Sequence, residues 1–323
     1  MIWYRAILQM HSWTASEWQA DTIFGHLCWG MRYLYGQKEL KDFLDLYEIG
    51  APPLLVSNGF PGDLLPKPSL PPMPADYTIN LDEQRQLFDS HKNVKKIEYL
   101  TPEEFARALN GEIPSQFLNT EVGRESYQTE RITLKNQIDR LTNTTGGEGQ
   151  LFPFEEFRWD TVSIYLRVGD GFVDKAHSLF DYLAKVGYGK RKSVGYGQIE
   201  SYSFKQFDGF PATSDANGFV TLSNFVPSAN DPAVGNWSLL VKYGKLGEEY
   251  AQEEIAFKKP LLMLEAGSTF YDSPVKQFYG RMVHCVSPAY PQVVQYGFAL
   301  PIPMKLPHPE ATRDKSVVRK QRG

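Results

Sequence analysis

GYGKRKSVGYGQIE, Gly187–Glu200, gathers four glycines and three consecutive cations, with a single acid at its far end. Gly187, Gly189, Gly195 and Gly197 let a backbone turn tightly and approach a ligand closely. Lys190, Arg191 and Lys192 supply positive charge, and Ser193 adds a hydroxyl. The loop misses the nucleotide-triphosphate pattern, because no glycine immediately precedes Lys192. It misses GxGxxG as well, because Lys192 stands three residues after Gly189. A nucleotide cofactor is therefore not expected, whereas the phosphates of a nucleic-acid backbone suit the loop. The plain alternative is a solvated turn with a charged tip.

Working outward, Val173, Ala176, Phe180 and Leu183 fall at helical spacing just before the loop, and Ile199 to Phe207 reads as a strand just after it. Val162, Ile164, Leu166 and Val168 alternate with polar neighbours, a further strand. At the chain start Ile2, Tyr4, Ala6 and Leu8 share one face of a strand over Met1–Gln9, followed by His11, Ser12 and Trp13. Asp21 can cap a helix that starts at Thr22 and buries Ile23, Leu27, Met31 and Leu34. Gly36 breaks it, Leu40, Phe43, Leu44 and Tyr47 suggest a second helical piece, and Leu54 to Val56 a short strand before a Gly59–Gly62 turn.

The order up to residue 207 is thus β-α-β, insertion, β-α-β. That is an α+β, ferredoxin-like (RRM-like) pattern with a large insertion at about residues 59–157. Its sheet order, 4-1-3-2, sets the start of strand four beside the end of strand one. His11, Ser12, the Gly187–Gly197 loop and the helix N-terminus at Thr22 then converge on one edge, and a helix N-terminus favours anions.

The insertion opens with Pro61, Pro66, Pro68, Pro71, Pro72 and Pro74, an extended run that cannot be a central strand. Thr101-Pro102-Glu103-Glu104 is a capping box before a helix through Phe105, Ala108 and Leu109. Asn119 to Gln150 is polar and resembles a long functional insertion more than core. Beyond Asp208-Gly209 the pattern turns mostly β, with candidate strands at Leu222–Val226, Leu239–Tyr243, Leu261–Leu264, Met282–Val286 and Val293–Leu300. A second, mostly β, degenerate ferredoxin-like domain over 208–310 is expected, and the basic 311–323 reads as a disordered tail.

Hydrophobic residues make up 42% of the 323, enough for a substantial core, and charged residues 22%. The net charge of -4 means that any RNA site is a local basic patch on an otherwise acidic surface. The two cysteines, Cys28 and Cys285, have no metal-ligand spacing, which suits a reducing cytoplasm without disulfide or zinc. No apolar run approaches a membrane span, and MIWYRAILQM reads as a strand and not a leader.

The chain resembles the RAMP superfamily of CRISPR RNA-binding proteins, and within it the fourth Csm-type subunit of type III-A effectors. ADTIFGHLCWG at Ala20–Gly30, LPKP at Leu65–Pro68, LKNQIDRLTNTTGGEGQLFPFEE at Leu134–Glu156 and the Gly187–Gly197 loop carry the resemblance. FVPSANDP, VKYGKLG, LEAGSTF and QYGFALPIP extend it to about Pro303. It implies a RAMP domain that holds the 5′ handle of crRNA and pairs with a large polymerase-like subunit. It further implies contact with the first backbone RAMP subunit and no nuclease activity of its own. Arg131, Lys135, Asn136 and Arg140 would lie on the thumb that such proteins extend across the guide strand.

Two rivals stand beside that reading. One is a metal-independent endoribonuclease that processes precursor crRNA, for which His11 beside Ser12 is the candidate catalyst. His26 and His177 lie on helices away from it, and the acids show no metal-ligand motif, so neither catalysis nor metal is expected. The other is a purely structural partner docking through an exposed Phe60–Met73 stretch.

Overall fold

The computed structural model describes residues 1–71, 94, 96–114, 129–136, 141–142, 144, 151–252 and 256–307. The first strand, β1 (Ile2–Met10), turns Ala6, Leu8 and Met10 into the core, as its alternation requires. Helices α1 (Ala20–Tyr35) and α2 (Gln37–Glu48) follow, then β2 (Leu54–Pro61). The excursion contributes β3 (Leu65–Pro66), β4 (Tyr99–Leu100), α3 (Pro102–Leu109), β5 (Thr129–Asn136) and β6 (Leu151–Arg158). The chain returns through β7 (Thr161–Val168), α4 (Val173–Val186) and β8 (Ile199–Gln206).

The main sheet has the order β2-β7-β1-β8, with every neighbouring pair antiparallel. This is the ferredoxin-like order expected from the sequence. α1 and α4 cover one face with Ile23, Leu27, Met31, Ala176, Phe180 and Leu183, all buried. The capping box is formed: the Thr101 hydroxyl accepts from the Glu104 amide, and the Glu104 carboxylate accepts from the Thr101 amide.

α1 begins at Ala20, two residues before Thr22, and Asp21 does not cap it. The Ala20 amide donates to Asn58 Oδ1 at 2.9 Å, so a side chain from a bulge in β2 takes over the capping. Asp21 is thereby released into the first turn and buried there. The Phe60–Met73 stretch is not an exposed docking surface over its described part. Phe60, Leu64 and Leu65 are buried, because β3 pairs with β4 and draws the stretch into the core. Pro72 and Met73 lie outside the described residues.

The second half contains β9 (Gly218–Thr221), β10 (Gly235–Asn236), β11 (Leu239–Lys242), β12 (Leu261–Leu264), β13 (Thr269–Tyr271), β14 (Tyr279–Gly280), β15 (Phe298–Ala299) and β16 (Pro301–Met304). Its larger sheet has the order β10-β13-β9-β16. The expected strands at Leu239–Tyr243 and Leu261–Leu264 form as the β11–β12 pair. Leu222–Val226 and Met282–Val286 do not form strands; each contributes a single bridge, Phe225–Leu264 and Val283–Gln295. Leu222 and Val226 are buried all the same. Their apolar pattern reports burial, which a loop crossing the core satisfies as well as a strand does. The two halves share one core cluster, in which Leu8, Ile23 and Val56 join Val220, Tyr296, Phe298 and Ile302. Among the described residues no helix is long and apolar enough to cross a membrane.

Candidate nucleic-acid interface

The end of β1 and the start of β8 meet as the topology requires. The His11 amide donates to Gln198 O at 2.9 Å, and the Gln198 amide donates to Ser12 Oγ at 2.8 Å. The Gly197 amide donates to Trp13 O, and the Tyr188 amide to Gly197 O. Gly197 has a φ of 61°, and a Cβ there would sit 1.9 Å from Tyr188 O, so only glycine closes this junction. Below it Trp18 stacks on Tyr188, with ring centroids 3.7 Å apart.

The loop's hydrogen-bonding groups divide into two sets. The Gly189 amide donates to His26 Nε2 at 3.0 Å, and the Lys190 amide to Ser16 Oγ at 2.9 Å. Burial, followed by the charge of Lys192, pushes His26 down to about 3, so it accepts as a neutral imidazole. Gly187 is buried against Gly197 and Gln198. These glycines hold the loop to the protein. Gly195, with φ of 94° and open space where a Cβ would stand, is the one at the exposed tip.

The cations divide likewise. Lys190 and Arg191 are exposed and form no ion pair among the described residues, while Ser193 is exposed beside them. Arg191 adopts a left-handed φ of 60°, and its guanidinium lies 4.6 Å from the Phe154 ring centre. Lys192 instead pairs with Glu248, from a 3₁₀ turn of the second half.

No strand is expected in the polar insertion from its pattern, yet β5 and β6 pair over eight residues, Thr129 opposite Arg158 through Asn136 opposite Leu151. The Thr14–Phe157 bridge joins this ribbon to the segment after β1. Period two sets Arg131, Thr133, Lys135, Phe152, Phe154 and Glu156 on one face, turned toward the glycine-rich loop. Glu156, which no sequence motif singles out, is the centre of that face. Its buried carboxylate receives Arg131 Nε at 2.6 Å, Lys135 Nζ at 2.9 Å and the Thr133 hydroxyl at 2.8 Å. The Tyr196 hydroxyl donates to it too. Burial alone raises the Glu156 carboxyl, but these four donors outweigh it and hold it at about 2.

Arg131 and Lys135 are therefore engaged in the ribbon's own anchor. Arg131 covers Trp13 at 4.1 Å from the ring centre, and Lys135 lies between Phe154 and Tyr196. Asn136 is exposed at the far end of the ribbon. Arg140 lies outside the described residues, as does the 311–323 tail.

Thr22 is not presented at this edge as a free anion site. Its hydroxyl accepts from Lys242 Nζ at 2.9 Å, and Asp21 stands 3.1 Å from the same ammonium. The first turn of α1 is thus neutralised by its own carboxylate and turned to β11. The His11 side chain is exposed, and no acid or second histidine bonds to it among the described residues. No group of three or more metal-ligating side chains exists among them.

The edge is thus built from a ferredoxin-like sheet whose fourth strand follows a glycine-rich, cation-tipped loop that returns to the end of the first, with a ribbon inserted beside it. No family model matches the chain. A curated protein of Thermococcus onnurineus (strain NA1), the CRISPR system Cms protein Csm4, is 26% identical over 302 residues, which cover 90% of this chain and 92% of that one. A chain in the crystal structure of a Csm3–Csm4 subcomplex of the type III-A CRISPR-Cas interference complex superposes with a TM-score of 0.64. It is 14% identical, with 94% and 99% of the two chains covered. One in a Csm1–Csm4 cassette with cA4 gives 0.59, at 18% identity and 95% and 99% coverage. The chain is thus similar to Csm4 over nearly its whole length.

Proposed function

We propose that this chain is a non-catalytic, RNA-binding subunit of a type III-A Csm effector complex acting in the cytoplasm. It holds the 5′ handle of crRNA on the glycine-rich edge and joins the large polymerase-like subunit to the backbone RAMP subunit. The domains of this reading divide at residue 207, with the RNA edge on the first. The observation that carries it is the pair Lys190 and Arg191, exposed and without acid partners among the described residues. They stand on a loop that Gly197 ties to the end of β1 and Gly189 to α1.

The similar proteins are found in assemblies with Csm1 and with Csm3, which supports the bridging role. Exposed apolar side chains give it physical substance. Trp237, Leu239, Val241, Tyr243 and Leu262 line one side of the second half, and Ile132, Leu134 and Leu151 the outer face of the ribbon. Apolar surface of this extent marks contact with a partner. The solitary His11 supports a binder over a precursor-processing nuclease, since proton transfer in both directions calls for two positioned groups.

The test is binding of end-labelled crRNA across a salt series. On a single strand each phosphate that the protein neutralises contributes about 0.7 to the log-log slope, so Lys190→Ala with Arg191→Ala should flatten it by about 1.4. Wild-type affinity and slope in that variant would remove the loop from the RNA site. Site-specific cleavage of precursor that vanishes in His11→Ala would replace the binder with the nuclease.

A further inference from the structure

A second cationic site lies at the opposite end of the main sheet. Trp3 and Arg167 face each other across the β1–β7 pair. Trp3 is seven residues from Met10, about 23 Å along the strand from the glycine-rich edge. Here the two halves leave a cavity of about 360 Å³, lined by Trp3, Arg167, Phe210, Thr213, Lys276 and Gln277 and walled by Pro211, Pro301 and Pro303. The lining contains two cations and no acid.

Arg167 is unusually placed for a charged residue. It forms no ion pair among the described residues, and its Nε is buried without a hydrogen-bond partner. Its guanidinium lies 5.4 Å from the Trp3 ring centre, and burial lowers its affinity for the proton. A half-buried guanidinium with no carboxylate partner among the described residues can take an oxyanion, and phosphate matches its fork in two places. Lys276, exposed at the rim with its ammonium 3.4 Å from Asn230 O, adds a second charge.

The remaining walls say what the anion is attached to. Pro211, Pro301 and Pro303 lack amide protons, so this rim offers few backbone donors to a peptide. Phe210, the Trp3 edge and the proline rings add apolar surface beside the cations, which suits a base. The volume falls at the low end of the range for small-ligand pockets.

We propose that this cavity binds a single phosphorylated nucleotide, its phosphate on Arg167 and Lys276 and its base on the proline and aromatic walls. The site is separate from the glycine-rich edge and does not depend on the role given to that edge.

Calorimetric titration of the full chain with adenosine 5′-monophosphate and with a short oligoadenylate tests it. Both should bind, the tighter of the two identifying the source as free nucleotide or RNA. Arg167→Gln should weaken binding roughly tenfold or more, as expected for removal of a charge-assisted pair. Lys276→Gln, at an exposed position that the fold does not need, should weaken it by a smaller factor. The double variant Lys190→Ala, Arg191→Ala should bind the mononucleotide as wild type does. Inorganic phosphate or an acidic peptide binding as tightly as the nucleotide would overturn the assignment. So would unchanged affinity in both the Arg167 and Lys276 variants, or loss of mononucleotide binding in the double variant.

Discussion

The base of the β5–β6 ribbon and the tip of the glycine-rich loop both gather cations, and they use them differently. At the ribbon base Arg131 and Lys135 surround the buried Glu156 carboxylate, so their charge is neutralised within the fold. At the tip Lys190 and Arg191 stand exposed without an acid among the described residues. Lys192 is intermediate, being half of a pair with Glu248. Basic residues close in space are thus not equivalent as RNA contacts. A cation with an internal carboxylate must exchange one anion for another, whereas a solvated one exchanges only water and counterions.

The severest way to break this comparison is to detach the loop that carries the tip. Gly197→Ala drives a Cβ into Tyr188 O and should cost roughly 3 kcal/mol through backbone displacement. Gly195→Ala meets open space and carries only its left-handed φ, about 1 kcal/mol. Equal drops in melting stability in the two variants would contradict the division of these glycines into junction and tip.

A smaller effect sharpens the difference in charge. Glu156→Ala leaves Arg131, Lys135 and the Tyr196 and Thr133 hydroxyls without their common acceptor, and should destabilise the chain by about 2 kcal/mol. Because it frees two cations, it should steepen the salt dependence of crRNA binding, the opposite sign to the tip variants. Denaturant melts and a salt series measure both, and a flatter slope would show that the ribbon cations already contact phosphate.

Acid tests the same anchors without a substitution. His26 is held neutral in the fold at about 3, against 6.5 when free, so its contribution is fully present above pH 6.5 and declines as pH falls toward 3. Glu156 is depressed from 4.5 to about 2, so its contribution is complete above pH 4.5 and lost on the way to pH 2. Stability should therefore fall by up to about 1.4 kcal/mol per pH unit between 6.5 and 4.5, from His26 alone. His26→Gln, which keeps an acceptor for the Gly189 amide, should lose that slope while retaining the one below 4.5. If the variant keeps the upper slope, another group is responsible for it.

The alternation of Met1–Gln9, Val162–Val168 and Ile199–Phe207 and the helical spacing around them determined the first sheet and its order. In each, one face is buried by local neighbours, and period alone then reveals the element. The meeting of Ser12 with the glycine-rich loop followed from that order. What only the tertiary structure decided lies where distant residues supply the partner. Asn58 caps α1 in place of Asp21, because a bulge in β2 brings it there. β16 runs through Pro301 and Pro303, which its position at the end of its sheet tolerates. The β5–β6 ribbon has one solvated face and so lacks the buried stripe that pattern reading relies on. The fate of each cation was equally hidden: Glu156 is 25 residues from Arg131 and Glu248 is 56 from Lys192, and charge carries no period by which sequence pairs it across such distances.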